Sequence, residues 1–382
     1  MSLQKPFVAQ WGILGCGWIS SEFAQDISRP MASRNVTDVS HAIAAVGSRS
    51  LLKAKEFVNK FTPDGAAAQQ AGLVDFKPRP YGSYREVVED PNVDIVYVGT
   101  MNVAHYEDAK LALEAGKNCL LEKPATLNAA EWKQLVSIAK ANKVFLMEAV
   151  WTRFNPVMLA IQKAVHEDGL IGDIRCIYSD HAMDVYKKRP VTDRLLSAEL
   201  AGGSLLDIGP YPLVWTLMLL YRHPLNERTP PAKVGSTMLL CDTGVDIATS
   251  ITLTFPKLNA MAYCSTNLLS STQKDQHTRI VGSKGEILVH GHTSRPQKYR
   301  IRRLSDLEKE DGGYLPDELV DMSFDGFGLY WEADAVARCL QEGLLENPVM
   351  PHAETLMTME IFDNVRKEGG YDYLPGLEKV KA

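Results

Sequence analysis

The 382-residue chain has no apolar run that approaches the length of a membrane span, and its first ten residues lack the apolar core of a secretory leader. Paired cysteines are missing too. The six at Cys16, Cys119, Cys176, Cys241, Cys264 and Cys339 are scattered, without metal-ligand spacing, so they read as reduced thiols and no metal is expected. Basic clusters interleaved with aromatics are absent, and 41 Lys+Arg against 47 Asp+Glu leave a net charge of −6. That balance argues against nucleic acid and anionic membrane as partners. There is no internal repeat; residues 65–72, rich in Ala and Gln, form at most a short loop or helix insertion. A cytoplasmic globular protein is expected.

What is present is ordinary in bulk: 45% hydrophobic and 23% charged residues. The length exceeds what one core usually serves, so two domains are expected, 1–150 and 151–382. Near the start, Gln10-Trp11-Gly12-Ile13-Leu14 is a short apolar strand running into Gly15-Cys16-Gly17 and a helix. Gly15 permits a tight turn, Gly17 removes a Cβ so that backbone can approach a pyrophosphate, and the N–H groups of the helix face its charge. A turn that needs glycine for steric reasons alone would look the same, and Ser20 stands where a third glycine is usual.

The next strand, residues 42–47, follows a helix that carries Phe23, Ala24 and Ile27 on one face, completing a βαβ unit. An acid at its end would bind the ribose of NAD. Here Ser48-Arg49-Ser50 stands instead, and a guanidinium between two hydroxyls suits the 2′-phosphate of NADP. A solvated loop arginine is the plainer alternative. Strand and helix then alternate to residue 150: helices over 53–61, 84–89, 107–115 and 129–142, strands over 93–99, 118–122 and 144–148. This pattern predicts a parallel sheet covered on both faces.

After Trp151 the texture changes. Helices are expected over 155–166 and 208–220, and strands over 174–180, 234–240, 247–255, 259–266, 277–282 and 286–290, joined by short turns. Helices return at 329–342 and 353–368. The fold class is therefore α/β: an N-terminal Rossmann dinucleotide-binding domain plus a C-terminal α+β domain with a large open, mostly antiparallel sheet.

Three segments carry reactive side chains. Thr100, Asn102 and His105 follow a parallel strand, where ligands of open α/β sheets lie; His105 fits helix packing equally well. Lys123, in Leu120-Leu121-Glu122-Lys123-Pro124, ends an apolar strand, and Pro124 biases it toward an extended backbone. An ammonium there lowers the pKa of a nearby hydroxyl or phenol, and a surface lysine in a loop is the plainer alternative. In the third, Gly202-Gly203-Ser204-Leu205-Leu206-Asp207-Ile208-Gly209-Pro210-Tyr211, Asp207 reads as a helix N-cap with Tyr211 four residues on, an acid and a phenol on one side. A plain cap remains the alternative for Asp207.

Gly15-Cys16-Gly17, Thr100-x-Asn102-x-x-His105, Glu122-Lys123-Pro124 and Asp207-x-x-x-Tyr211, in this order, make the chain resemble the glucose–fructose oxidoreductase / inositol dehydrogenase / MocA (Gfo/Idh/MocA) family along nearly its whole length. The stretches 147–154 and 203–209 resemble the branch holding dimeric dihydrodiol dehydrogenase and the fungal NADP-dependent D-xylose 1-dehydrogenases, and Tyr330-Trp331-Glu332-Ala333-Asp334 resembles the xylose dehydrogenases most. The resemblance implies Lys123 and Tyr211 as a catalytic pair assisted by Asp207. It implies cofactor contacts from Gly15, Gly17, Trp18, Ile19, Ser48, Arg49, Thr100, Asn102, His105, Glu122, Lys123, Trp151 and Arg153. For substrate it implies Lys123, Phe154, Arg194, Asp207 and Tyr211, and a homodimer formed through the open sheet. Met101 departs from the family's usual Pro, and Ser20 from its usual Gly. The activity implied is NADP-dependent oxidation of a cyclic aldose at C1 to the lactone, D-xylose first. A trans-1,2-dihydrodiol or another sugar is the alternative substrate, and a non-catalytic NADP-sensing regulator is the alternative of another class.

Overall fold

The structure, a computed structural model, describes residues 5–61, 77–304 and 316–381. The insertion expected at 65–72 lies outside the described residues. Two compact units emerge: Met1–Trp151 with Asp325–Met359 and Glu378–Ala382, and Thr152–Phe324 with Glu360–Leu377. The segment 325–359, expected in the second domain, thus belongs with the first.

In the first unit the strands β1 (Phe7–Leu14), β2 (Val39–Gly47), β3 (Arg79–Tyr81), β4 (Ile95–Val98), β5 (Asn118–Glu122) and β6 (Leu146–Ala149) form a sheet. Its order is β3-β2-β1-β4-β5-β6, and every neighbouring pair is parallel. The chain reverses its direction of growth between β1 and β4, which opens a crevice beyond their carboxyl ends. All nine residues of β2 are buried, as a strand covered on both faces requires. Phe23, from the helix Trp18–Ile27, stacks on Tyr97 of β4 with centroids 3.9 Å apart, and Trp11 meets Phe23 edge-on at 5.0 Å.

The helix Leu329–Gln341 returns to this unit because its apolar face packs on β1, β2 and the helix Trp18–Ile27. Asp26, 1% exposed, accepts from the N–H groups of Phe327 (3.1 Å), Gly328 (2.6 Å) and Leu329 (2.9 Å), capping it from a distant element. Arg34 grips Asp334 at 2.7 and 2.9 Å, and His41 joins them at 2.8 Å. The expected helix at 129–142 is present with Asn128 as its cap, accepting from Glu131 N–H at 2.9 Å.

In the second unit β7 (Ile174–Ala182), β8 (Lys233–Leu240), β9 (Asp246–Phe255), β10 (Ala260–Asn267), β11 (Thr278–Gly282), β12 (Gly285–His292), β13 (Arg295–Arg303) and β14 (Glu318–Asp321) order as β14-β13-β12-β11-β7-β10-β9-β8. Only β7 and β10 pair in parallel; the other pairings are antiparallel. Helices Ser204–Ile208 and Pro210–Thr216 lie on this sheet, and the latter widens into a π-type turn over Leu217–Tyr221. The run Ala198–Tyr221 is long and apolar enough to cross a membrane by length and composition, contrary to expectation, yet its most apolar stretch is buried inside the protein.

Candidate active site

On the first unit, β1 ends in Gly15, whose φ of +91° and Cβ position, 2.9 Å from Gly99 O, exclude other side chains. Gly17 differs. Its φ is −83°, and a Cβ there would meet only Gly99 O at 4.0 Å, so nothing in the protein itself demands glycine. The helix it starts has no side-chain cap and no acid in its first turn, which leaves its N–H groups and positive end for an anion. Ser20, buried, donates to Gly99 O at 3.4 Å; a Cβ on Gly99 would stand 2.3 Å from its Oγ. The third glycine of the fingerprint has, in effect, moved across to β4's end.

At the end of β2, Ser48 is buried and its Oγ accepts from Ser50 N–H at 3.3 Å, fixing the turn that presents Arg49. Arg49 is exposed and makes no hydrogen bond or ion pair to another described residue. An exposed guanidinium, an uncapped helix end and an unfilled glycine fit a dinucleotide with a 2′-phosphate. Thr100, Asn102 and Ile19 are half-buried along the same edge, and Trp18 is 63% exposed. Trp18 and Trp151 each meet Phe327, at 5.3 and 5.4 Å, forming an aromatic row on this unit. Phe327 was absent from the sequence reading; its signal was Gly326-Phe327-Gly328, with φ of +80° and +97° at the glycines.

Lys123 is half-buried at the end of β5, and its peptide bond to Pro124 is cis. Glu122, 4% exposed, accepts from Tyr97 OH at 2.6 Å and from Lys123 N–H at 3.2 Å. His105 is buried, with Nδ1 2.7 Å from Pro124 O and Nε2 3.2 Å from Thr100 O. Both ring nitrogens are therefore turned to backbone, and burial drives its pKa down to about 4. The neutral imidazole carries one N–H, so it donates to only one of these two carbonyls while its ring packs between the Lys123 loop and the end of β4.

On the second unit, Arg194 donates to both oxygens of Asp207, at 2.6 and 3.3 Å. Asp207 is 6% exposed and Tyr211 8% exposed. Burial lowers the Arg194 pKa, but Asp207 more than offsets it and the net shift is upward, with Tyr211 a further contributor. The His181 ring lies 5.2 Å from that of Tyr211. Asp207 is not an N-cap: the cap position is Gly203, and Asp207 lies inside the helix Ser204–Ile208. Asp246 caps instead, fully buried, accepting from Ser204 Oγ at 2.6 Å and Leu205 N–H at 2.9 Å. This frees Asp207 for Arg194. Phe154 and Arg153 are buried in this unit, Arg153 with its Nη1 3.7 Å from Met218 Sδ. Sequence reasoning missed both His181 and Asp246.

Residues 9–150 match the Gfo/Idh/MocA oxidoreductase family model, described as an NAD-binding Rossmann fold, and residues 159–288 match the Gfo/Idh/MocA C-terminal domain. The chain is 37% identical over 385 residues to D-xylose 1-dehydrogenase (NADP(+)) of Hypocrea jecorina, covering 98% of this chain and 95% of that one. It is 32% identical over 365 residues to trans-1,2-dihydrobenzene-1,2-diol dehydrogenase of Danio rerio, covering 95% and 98%. Among solved structures, the aldose-aldose oxidoreductase from Caulobacter crescentus superimposes with a TM-score of 0.72 at 22% identity, over 94% of this chain and 96% of that one. The chain belongs to the Gfo/Idh/MocA oxidoreductases, a class defined by a nucleotide-binding parallel sheet joined to a second, mostly antiparallel one.

Proposed function

We propose that this protein is an NADP-dependent dehydrogenase that oxidises a cyclic aldose at C1 to its lactone, with D-xylose giving D-xylono-1,5-lactone. The observation that carries the reading is Lys123 at the carboxyl end of β5, its loop anchored by Glu122 and His105, in a chain 37% identical to an NADP-dependent D-xylose dehydrogenase. Gly17 and the uncapped helix end hold the pyrophosphate, and Arg49 takes the 2′-phosphate. NADP, when bound, supplies a nicotinamide ring that accepts the C1 hydride.

The proton of the C1 hydroxyl goes to Tyr211. A free tyrosine, with pKa ~10, is a poor base at neutral pH, and the Lys123 ammonium is assigned to favour its phenolate. Arg194 fixes the Asp207 carboxylate, which orients a substrate hydroxyl. A homodimer through the free face of the eight-stranded sheet is part of the proposal. Stacked Tyr178 and Tyr263, 4.9 Å apart, belong to neighbouring strands of that sheet, and Tyr178 is 43% exposed.

The second reading, a trans-dihydrodiol as substrate, draws on the relatives near 32% identity. A panel of aldoses and trans-diols, with NADP⁺ and NAD⁺ run in parallel and NADPH absorbance as readout, tests both. D-Xylose with NADP⁺ is expected to give the highest kcat/KM. A diol in that place selects the second reading. No turnover at all, with tight NADP⁺ binding, selects a non-catalytic sensor.

A further inference from the structure

The turn that carries Arg49 is bordered by the segment that follows β3. Tyr81 pairs with Gly47 across the β2–β3 ladder, and Ser48 N–H donates to the Tyr81 carbonyl at 3.3 Å. A Cβ on Gly82 would stand 3.7 Å from Leu51 Cβ. Ser83 caps the helix Tyr84–Glu89, accepting from Glu86 N–H at 3.4 Å, which sets Tyr84 in its first turn. There the half-buried Tyr84 ring lies against Gly47: a Cβ on that glycine would be 3.2 Å from Tyr84 Cδ1 and 2.7 Å from Val87 Cγ2. The Gly47 carbonyl accepts from Gly15 N–H at 3.0 Å and lies 4.0 Å from Cys16 Sγ. One aromatic ring thus abuts the residue that joins the glycine turn of β1 to the arginine turn of β2.

We propose that Tyr84 is the adenine platform of the cofactor site, the purine of NADP lying on its ring while Arg49 takes the 2′-phosphate. The base and that phosphate leave adjacent carbons of one ribose, so a phosphate held at residue 49 keeps the purine within reach of the segments bordering 47–51. A purine is flat and uncharged, and an aromatic face binds it by stacking, without a set of matched hydrogen bonds. Of the two tyrosines in this border, Tyr81 is tied through its hydroxyl to Asp90 at 3.0 Å, whereas Tyr84 stands beside the residue from which the Arg49 turn departs. Burial first, and then Asp108, raise the Tyr84 pKa, with Arg49 pulling the other way, so the ring is neutral at physiological pH and within electrostatic reach of the guanidinium.

The inference rests on the placing of the 2′-phosphate at Arg49, and its test separates the two. The probe is adenosine 2′,5′-bisphosphate, which carries the base and the 2′-phosphate without nicotinamide, titrated calorimetrically into the full-length protein. Tyr84→Leu is expected to raise its Kd about tenfold or more, and Tyr84→Phe to leave it within about twofold of wild type. Tyr84→Trp keeps a flat ring, and the fluorescence it adds over wild type should be quenched when the probe binds; this arm decides the matter if Tyr84→Leu lowers the melting temperature. Binding that Arg49→Met weakens but Tyr84→Leu does not, or added Tyr84→Trp fluorescence that the probe leaves unquenched, overturns the Tyr84 proposal alone. Equal affinity of Arg49→Met and wild type for the probe overturns the reading of Arg49, and with it the place given to the base.

Discussion

Arg194 holds the nearly buried Asp207 carboxylate through two hydrogen bonds, of 2.6 and 3.3 Å, thirteen residues apart in the chain. The fork fixes the carboxylate plane as a single ammonium does not. Arg194→Met is expected to lower kcat/KM for the sugar by about tenfold to a hundredfold, mostly through KM, with NADP⁺ affinity unchanged. Arg194→Lys should fall between. Steady-state kinetics beside a cofactor titration checks this; equal losses in both would show that the pair serves the fold.

Two glycines of the first turn are expected to separate structural need from ligand need. Gly15→Ala places a Cβ against Gly99 O at positive φ and should destabilise the protein by about 1–3 kcal/mol. Gly17→Ala meets open space, so its melting temperature should match wild type while the Kd for NADP⁺ rises at least about tenfold, near 1.4 kcal/mol. Calorimetry of unfolding and of binding on both variants reads the two effects independently.

His105 makes stability depend on pH with a definite sign. Above an unfolded value of 6.5 both states are neutral and the full stability is present. As pH falls from there to about 4, the unfolded chain binds a proton that the folded imidazole refuses, and stability drops by about 3 kcal/mol at most. Asp108, whose carboxyl burial raises to about 6, works the other way over part of that range, because its folded form takes up the proton first. The slope of unfolding free energy against pH should therefore be shallower in His105→Gln than in wild type, and Asp108→Asn should steepen it.

What the sequence showed, and what it hid, follows the distance over which each feature is determined. β1, its glycine turn and the helix Trp18–Ile27 were legible because strand, turn and helix specify one another within twenty residues. The exchange between Ser20 and Gly99 spans 79 residues, and one sequence does not say which small residue faces which. Asp246 capping a helix that starts 42 residues earlier is the same kind of pairing, and the local sequence offers Asp207 as the cap in its place.

The helix Leu329–Gln341 was readable as amphipathic, but its apolar face does not name the sheet that covers it, so its return to the first unit was hidden. Strand β13 was missed because Arg-Pro-Gln-Lys-Tyr-Arg-Ile-Arg-Arg looks like loop. Its arginines pair sideways with Asp317 and Glu286, which leaves Pro296, Tyr299 and Ile301 to face inward. Lys123, Tyr211 and Arg49 are candidates that their positions at element ends mark in the sequence, whereas the ring contacts of Phe327 and His181 arise only on folding.

The most direct test of the account is the rate of NADPH formation from D-xylose by Lys123→Met and Tyr211→Phe, each measured together with its Kd for NADP⁺. Both variants should lose turnover by at least about a thousandfold, roughly 4 kcal/mol of barrier, while retaining wild-type fold and near-normal cofactor binding. Either variant turning over at close to the wild-type rate would contradict the assignment of amine and phenol as the groups that manage the proton.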